Sequence, residues 1–134
     1  MDNCIFCKII RREIPSYILY ENEYALVVLD AFPVDRGHTL IISKVCKKNL
    51  LELSLKQIYE ITRIQQKIAG LLITKLGAKG FNFMNNFNRI AGQQVDHYHL
   101  HIIPKYNEKD GFKTCHTPPK TAIEIEKIWK EITK

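Results

Sequence analysis

The sequence contains no long hydrophobic run, no internal repeat and no low-complexity tract, and only four of its 134 residues are cysteine. No apolar stretch approaches the roughly 20 residues that a helix needs to cross a bilayer, so we expect no membrane-spanning segment. The opening MDNCIFCKII has an acidic second residue and no long apolar core, which argues against a secretory signal. We therefore expect one domain over residues 1–134, located in the cytoplasm.

Positive charge is in excess, with 20 Lys and Arg against 14 Asp and Glu and a pI of about 9.2. Such a balance favours anionic ligands, including nucleotides, phosphorylated metabolites and nucleic acid. The extra lysines, however, are spread along the chain in segments such as KVCKK and KIWKEITK, as on a solvated face. We therefore expect no nucleic-acid partner.

The hydrophobic pattern predicts an α+β domain with a five-stranded, meander-like antiparallel sheet, one long helix and a C-terminal helix. The core is expected at about residues 4–106 and a C-terminal extension at about 107–134. Short connections between most strands favour antiparallel pairing, with the helices packed on the sheet. The predicted short elements are a helix or turn at 4–11 and strands at 17–20, 25–30, 39–43 and 81–84, followed by the histidine segment.

Two capping boxes predict where helices begin. Ser54 and Gln57 form the first, at the start of the long helix, and Gly77 suits the end of that helix. Thr121 and Glu124 form the second, before a closing helix with one apolar stripe. The residues of this stripe are Ile125, Ile128, Trp129 and Ile132.

Three of the five histidines occupy alternate positions in VDHYHLHIIPKY, residues 95–106. Successive side chains of a strand point to opposite faces, so His97, His99 and His101 share one face, roughly 6 to 7 Å apart along the backbone. On a helix the same spacing would separate neighbours by about 200°. The segment is therefore predicted to be a strand. Its other face, directed to the core, consists of Tyr98, Leu100 and Ile102.

The row of histidines has three interpretations. It is a solvated strand face that happens to be rich in histidine, or it is a zinc site, since alternate histidines can reach one ion. In the third interpretation, one neutral imidazole attacks phosphorus while its neighbours and backbone N–H groups hold the oxygens. Such a nucleophile needs no deprotonation near neutral pH, but its ring must be held in the right tautomer.

The loop before the strand favours the third interpretation. Gly92, followed by Gln93 and Gln94, allows backbone N–H groups to approach an anion closely. Asn86 and Asn88 could supply neutral side-chain donors. The same residues also suit an ordinary Asn-rich turn.

HYHLHII has the His-apolar-His-apolar-His-apolar-apolar signature of the histidine triad nucleotide-binding proteins, and the chain resembles that family over nearly its whole length. CIFCKIIRREIPSYILYENEYALVVLDAFPVDRGHTLIISK resembles the N-terminal half of the family, and AGQQVDHYHLHIIPKY resembles its C-terminal motif. The chain is most similar to small prokaryotic-type members of the hydrolase and phosphoramidase branch. It lacks the proline between triad positions of the uridylyltransferase branch and the added zinc finger of DNA-end-processing members.

The resemblance implies a nucleotide hydrolase or phosphoramidase without a catalytic metal. His99 would attack the α-phosphorus of a nucleotide, and water would then release the mononucleotide from the nucleotidyl-histidine. His101 would contact the phosphate or the leaving group, and His97 would orient the ring of His99 through its carbonyl. His38, in DRGHTL, matches a family histidine beside the phosphate site.

The resemblance also implies a nucleotide pocket. Asp30 matches the acid that binds ribose, since a carboxylate can accept hydrogen bonds from two vicinal hydroxyls. Asn86 lies where members place a polar residue touching the phosphate, and Gly92 and Gln93 belong to the same loop. Gln94 departs from the Ser or Thr of many members; an amide donates a hydrogen bond but relays no proton, which bears on the preferred leaving group. The base would occupy an apolar slot, whose residues equally suit plain core packing: Ile5, Phe6, Ile9 and Val28.

Cys4 and Cys7 form a CxxC pair, which is half of a tetrahedral zinc site. In the cytoplasm such a pair more often holds a metal or remains free thiol than forms a disulfide. Some family members, chiefly bacterial ones, hold a structural zinc with this pair, a histidine shortly after HTLIISK and the first triad histidine. Cys46 occupies the third place here, so the resemblance implies zinc on Cys4, Cys7, Cys46 and His97. The alternative is three buried thiols, and Cys115 has no evident partner.

Three functions remain open. The first is the enzyme described above, acting on purine nucleotides such as adenosine monophosphoramidates and diadenosine polyphosphates. The second is a regulatory protein that binds nucleotides with little turnover, and the third is a zinc hydrolase that uses the triad as ligands. The resemblance further implies a two-fold homodimer in which the two sheets join and the long helix contributes to the interface.

Overall fold

A computed structural model describes residues 3–109 and 124–134 of the chain. These residues form a five-stranded antiparallel sheet with helices, which confirms the α+β class. The helices and strands are α1 (Ile5–Ile10), β1 (Ile18–Glu21), β2 (Ala25–Leu29), β3 (Thr39–Ser43), α2 (Leu55–Leu76), β4 (Gly80–Met84), β5 (His99–Lys105) and α3 (Ile125–Thr133).

The strand order is β1-β2-β3-β5-β4, with every neighbouring pair antiparallel. The first three strands follow one another as a meander, and β5 then returns between β3 and β4. His101 consequently pairs with Leu40 on one side and with Met84 on the other. Because β5 is hydrogen-bonded along both edges, the histidines on it stand on a central strand of the sheet.

The two faces of the sheet bury different apolar clusters. One face packs against α2, and the predicted core residues Tyr98, Leu100 and Ile102 belong to this cluster. The other face packs against Phe6 of α1, through Leu26, Val28, Leu40 and Ile42. Full burial of such a side chain contributes roughly 1.5–3 kcal/mol. The alternation of β5 therefore places its core residues on the α2 side and its histidines on the α1 side.

Helix α2 is 22 residues long and begins and ends where the sequence predicts. The Ser54 hydroxyl accepts a hydrogen bond of 3.1 Å from the Gln57 N–H, and the Gln57 amide oxygen accepts one of 2.8 Å from the Ser54 N–H. Gly77 ends the helix in the left-handed region at φ 74°, where a residue without Cβ is favoured. Within residues 3–109 and 124–134, every helix is too short or too polar to cross a membrane.

Two expectations about local structure are wrong. Strand β5 begins at His99, so His97 lies just before it: the chain after β3 bends away, and Tyr98 N–H instead donates to Lys47 C=O at 2.7 Å. Helix α3 is present, but its apolar stripe is not packed on the sheet; Ile125 is 81% exposed and Trp129 60%. Of the second capping box, Thr121 lies outside the described residues, and Glu124 caps α3 without a side-chain hydrogen bond.

Candidate active site and metal cluster

His99 is held in one tautomer by the backbone. Its Nδ1 lies 2.8 Å from the carbonyl oxygen of His97, and because a carbonyl can only accept, Nδ1 carries the proton. The lone pair of the neutral ring is then on Nε2. Burial lowers the pKa of His99, although the bond to His97 opposes this shift, so the ring is neutral at physiological pH. A buried neutral imidazole with a lone pair on Nε2 is a competent nucleophile.

His38 and His101 form a second chain of hydrogen bonds with a fixed direction. Val34 N–H donates to Nδ1 of His38 at 3.0 Å, which places the His38 proton on Nε2. That Nε2–H lies 3.0 Å from Nδ1 of His101 and 3.4 Å from a carboxylate oxygen of Asp30. His101 therefore accepts on Nδ1 and carries its own proton on Nε2. This series of hydrogen bonds ends at the Nε2–H of His101, a donor next to the ring of His99. The centroids of these two rings are 5.1 Å apart.

Burial also keeps this second pair of rings neutral. It lowers the pKa of His101 to about 4, and the neighbouring His99 and His38 add to the effect. It lowers the pKa of His38 as well, while the Asp30 carboxylate acts in the opposite direction. The site thus presents a lone pair on His99 beside an N–H donor on His101. This combination suits attack on phosphorus with stabilisation of the phosphoryl oxygens.

The loop between β4 and β5 is tied together by three predicted residues. Gly92 has φ 99°, and a Cβ there would lie 3.2 Å from Nδ2 of Asn86, which donates to the Gly92 carbonyl. Gln93 is buried, and its amide hydrogens donate to the carbonyls of Lys48 and Val95 at 2.8 and 3.0 Å. Its amide oxygen accepts from Asn88 N–H. The side-chain amide of Gln93 thus shapes the loop, and Gln94 is exposed beside it.

The predicted base-slot residues lie on α1 and β2, on the histidine side of the sheet. Phe6 and Val28 are buried in one cluster, and Ile9 packs against it. The Phe6 ring meets the His99 ring edge-on, with centroids 4.8 Å apart. Ile5 is on the same helix and is 45% exposed. The structure therefore places an apolar surface, part buried and part open, next to the candidate nucleophile.

The three cysteines predicted as ligands converge with His97. One ligand atom from each of Cys4, Cys7, Cys46 and His97 lies within 4.8 Å of the others. Nδ1 of His97 is 3.2 Å from the Cys4 sulfur and 3.5 Å from the Cys7 sulfur. The edges of a zinc tetrahedron with these donors measure about 3.5–3.8 Å, so the set has nearly the size that zinc requires.

The chemistry of this cluster also fits a cation. Nε2 of His97 donates to the carbonyl of Ser43 at 2.6 Å, so the Nδ1 lone pair faces the sulfurs. Burial and the two neighbouring sulfurs raise the pKa of Cys7 to about 12. For Cys4, burial acts to raise the pKa, but hydrogen bonds, first the one from Cys7 N–H, outweigh burial. The pKa of Cys4 is therefore lowered overall. Ionising several of these thiols together in one buried place requires a positive ion, and a bound metal would provide it.

The triad does not gather around one ion. His97 faces the cysteines, whereas His101 faces His38 and Asp30, a second set whose ligand atoms also lie within 4.8 Å of one another. In that second set, Val34 N–H occupies Nδ1 of His38 and leaves the proton on Nε2, the atom that a metal would need. The cysteine cluster is therefore the better candidate metal centre.

Sequence reasoning missed three groups that hold these rings. The Asn85 amide donates to the carbonyl of His99 at 2.9 Å, the Ser43 carbonyl accepts from His97, and Val34 N–H fixes His38. Asn85 carries a weak signal, because it directly follows β4 and precedes the predicted donors Asn86 and Asn88. The other two are backbone groups, which every residue has, so no pattern could have identified them.

The chain is similar to known proteins over most of its length. The family model for the HIT domain matches residues 11–108. An adenosine 5′-monophosphoramidase of Saccharomyces cerevisiae is 41% identical over 130 residues, or 96% of this chain and 80% of the yeast protein. A HIT family protein of Bacillus anthracis has a similar structure, with a TM-score of 0.89 and 39% identity over 98% of this chain and 94% of that one. A zinc-bound histidine triad family protein of Mycobacterium smegmatis is also similar, with a TM-score of 0.78 and 33% identity over 88% of this chain and 85% of that one.

Proposed function

The chain belongs to the HIT family, and on this premise we propose that it is a purine-nucleotide hydrolase or phosphoramidase acting at the α-phosphorus through His99. Adenosine monophosphoramidates and diadenosine polyphosphates are the proposed substrates. The observation that carries the proposal is the hydrogen bond from Nδ1 of His99 to His97, which directs the lone pair of the ring to Nε2. The yeast relative, named an adenosine 5′-monophosphoramidase, supports the same reaction class.

In the proposed mechanism, Nε2 of His99 attacks the α-phosphorus, and the bond to the leaving group breaks. The ring becomes positively charged, and the His97 carbonyl stabilises this charge through Nδ1–H. His101 donates from Nε2 to a phosphoryl oxygen or to the leaving group, and His38 keeps His101 in the donor tautomer. Water then cleaves the nucleotidyl-histidine and releases AMP.

The rest of the nucleotide would extend away from this point in two directions. Asp30 would accept hydrogen bonds from the ribose hydroxyls, and the base would lie against the surface formed by Ile5, Phe6, Ile9 and Val28. On the other side, Asn86 and the loop at Gly92 would approach the phosphate, with the exposed Gln94 toward the leaving group. Gln93 would support this loop from below.

We propose that the metal is a structural zinc held by Cys4, Cys7, Cys46 and His97. Four protein ligands leave no position for a reactive water, so the reaction itself would need no metal. The zinc-bound mycobacterial relative supports zinc as the metal. A reducing compartment such as the cytoplasm would keep these thiols available.

A two-fold homodimer is proposed from the surface around β4. This strand is at the edge of the sheet, and Phe83 on it is 47% exposed beside a shallow groove on α2. Joining two such edges would pair the open backbone groups and cover the groove. Sedimentation velocity should show a dimer that Phe83→Glu dissociates, whereas Phe32→Glu, at an 89% exposed loop position, leaves it intact. A monomeric wild type at micromolar concentration contradicts the proposal.

The function is tested by AMP release from adenosine 5′-monophosphoramidate with chelator present. Wild type is compared with His99→Ala and with His116→Ala. His116 is the histidine that is neither a triad member nor His38, so its replacement is the matched control. We expect turnover by wild type and by His116→Ala, none by His99→Ala, and an α-phosphate label that stays on denatured wild type. A melting curve with chelator controls for unfolding.

The alternatives give different results in the same assay. A nucleotide sensor would bind AMP tightly without releasing product from the phosphoramidate. A zinc hydrolase would lose activity with chelator while still folded and regain it with zinc. The direction of the His38 hydrogen bonds argues against the latter.

A further inference from the structure

His97 connects the metal cluster to the candidate nucleophile, His99. His97 faces the sulfurs with its ring and accepts the His99 hydrogen bond with its carbonyl. We infer that a metal on Cys4, Cys7, Cys46 and His97 positions the nucleophile, so that occupancy of the cluster sets the geometry of the His99 ring. The inference rests on the proposed function for its kinetic consequence, but its structural consequence can be measured without any substrate.

The first connection runs through the backbone of His97. Its ring is fully buried and is fixed on one side by the Ser43 carbonyl at 2.6 Å. On the other side, Nδ1 faces the sulfurs of Cys4 and Cys7, at 3.2 and 3.5 Å. A thiol is a weak donor, whereas a metal–nitrogen bond fixes both the distance and the direction of the ring. Fixing this ring fixes the carbonyl that orients His99.

The second connection runs through α1. This helix has six residues, and Cys4 caps it while Cys7 lies in its first turn. A helix this short is not stable by itself, so its position depends on tertiary anchors. Phe6 lies between the two cysteines, and its ring packs edge-on against both His97 and His99. An anchored α1 therefore holds the Phe6 ring against the nucleophile.

Other parts of the site do not depend on this anchor to the same degree. Asp30 follows β2, and Val28 is paired within the sheet with Leu40 of β3. Loss of the metal should therefore misplace the His99 ring and reduce kcat by about 10- to 100-fold. The KM should change less, because the ribose contact and part of the base surface stay in place.

The experiment compares three variants of the full chain. Cys46→Ser removes one ligand that lies outside α1 and outside the proposed nucleotide pocket. Cys46→His restores a ligand of a different type, since imidazole also binds zinc. Cys115→Ser is the matched control for removal of a thiol. For each protein we would measure bound zinc, the ¹⁵N shifts of the His99 ring, and kcat and KM for adenosine 5′-monophosphoramidate, below the melting temperature.

We expect wild type, Cys115→Ser and Cys46→His to retain zinc, with one sharp set of His99 signals and similar kcat. Cys46→Ser should lose zinc, give shifted or broadened His99 signals and show the decrease in kcat. Wild type stripped of zinc at the same temperature should match Cys46→Ser, which covers the case in which that variant does not fold.

Two results would overturn the inference. One is a folded, zinc-free protein whose His99 signals equal those of the zinc-loaded protein, because the metal would then be only a stabiliser. The other is wild type that binds no zinc after reduction and incubation with the metal. If the zinc-loaded wild type is inert while its His99 signals depend on zinc, the proposed function fails and the positioning inference stands.

Discussion

The backbone carbonyl of His97 accepts a hydrogen bond of 2.8 Å from Nδ1 of His99. This single contact decides which nitrogen of His99 is free to react. The two residues are also divided between different tasks, since the His97 ring faces three cysteines and the His99 ring faces Phe6 and His101.

The tautomers of the four histidines are predicted by their partners. His99 should carry its proton on Nδ1, whereas His38, His97 and His101 should carry theirs on Nε2. Long-range ¹H–¹⁵N correlation spectra at mildly alkaline pH distinguish the two forms directly. A proton on Nε2 of His99 would contradict the proposed nucleophile.

Asn85→Ala should reduce activity although Asn85 contacts no proposed substrate atom. The amide holds the His99 carbonyl at 2.9 Å in a partly buried place. Its loss should cost about 1 kcal/mol of unfolding free energy, and misplacement of the ring should lower kcat by about 10- to 100-fold. Urea unfolding and steady-state kinetics measure the two effects.

The neighbouring Asn86 provides the matched comparison for this effect. Its amide bonds the Gly92 carbonyl at an exposed position, away from the His99 backbone. Asn86→Ala should therefore change the KM for the nucleotide and leave the free energy of unfolding nearly unchanged. Equal losses of kcat in the two variants would show that Asn85 has no special relation to His99.

Acidification should destabilise the fold through His101. Burial lowers its pKa to about 4 in the folded state, whereas an unfolded histidine has a pKa of about 6.5. Between these values the unfolded chain binds more protons, so the free energy of unfolding falls as the pH decreases through this window and is unaffected above it. His38 acts in the same direction.

The contribution of His101 can be isolated by comparing wild type with His101→Gln in urea at several pH values. Removing the titrating group should flatten the decline of stability between about pH 6.5 and 4. The remaining slope reports the other buried histidines and the carboxylates. An unchanged slope would mean that His101 is not neutral in the folded state.

Gly92→Ala should impair the site, whereas Gly77→Ala should not. Both glycines have positive φ, 99° and 74°, so each substitution should cost about 1–2 kcal/mol of stability. At Gly92 the new Cβ would also press on Nδ2 of Asn86 at 3.2 Å, while nothing lies within 4 Å at Gly77. We expect a rise in KM or a fall in kcat for Gly92→Ala alone; parallel kinetics in the two variants would contradict this.

Hydrogen peroxide should release zinc and reduce turnover together. Two cluster sulfurs would form a disulfide, giving up two electrons as peroxide becomes two waters, and the metal would lose its ligands. A zinc indicator dye follows the release, and a dithiol with added zinc should restore both signals. Cys115→Ser should behave as wild type; a peroxide-inactivated enzyme that keeps its zinc would point to another target.

Much of the fold was predictable because its local signals agree with one another. The capping box at Ser54 and the left-handed Gly77 mark both ends of α2, and the alternation in β5 separates its core face from its histidine face. The periodicity predicts helix α3 correctly, but the expected packing of this helix on the sheet is wrong. Periodicity indicates which face is apolar and gives no information on what covers that face.

The residue types of the candidate site were predictable from the sequence, whereas the contacts of individual side chains were less so. His38, Asp30 and the triad do lie together, and Cys4, Cys7 and Cys46 do converge on His97. Gln93, by contrast, is committed to the carbonyls of Lys48 and Val95. A glutamine beside a glycine looks the same in sequence whether its amide faces a ligand or the backbone beneath it.

The sequence by itself determined the side chains available and the alternation that places histidines on one face, because strand geometry depends only on neighbouring residues. Tertiary structure alone decided how the histidines are divided. The Cys4 sulfur meets His97 across 93 positions, His38 meets His101 across 63, and the Ser43 carbonyl meets His97 across 54. An imidazole takes its tautomer from the groups packed against it, and when those groups are distant in the chain, only the folded sheet brings them together.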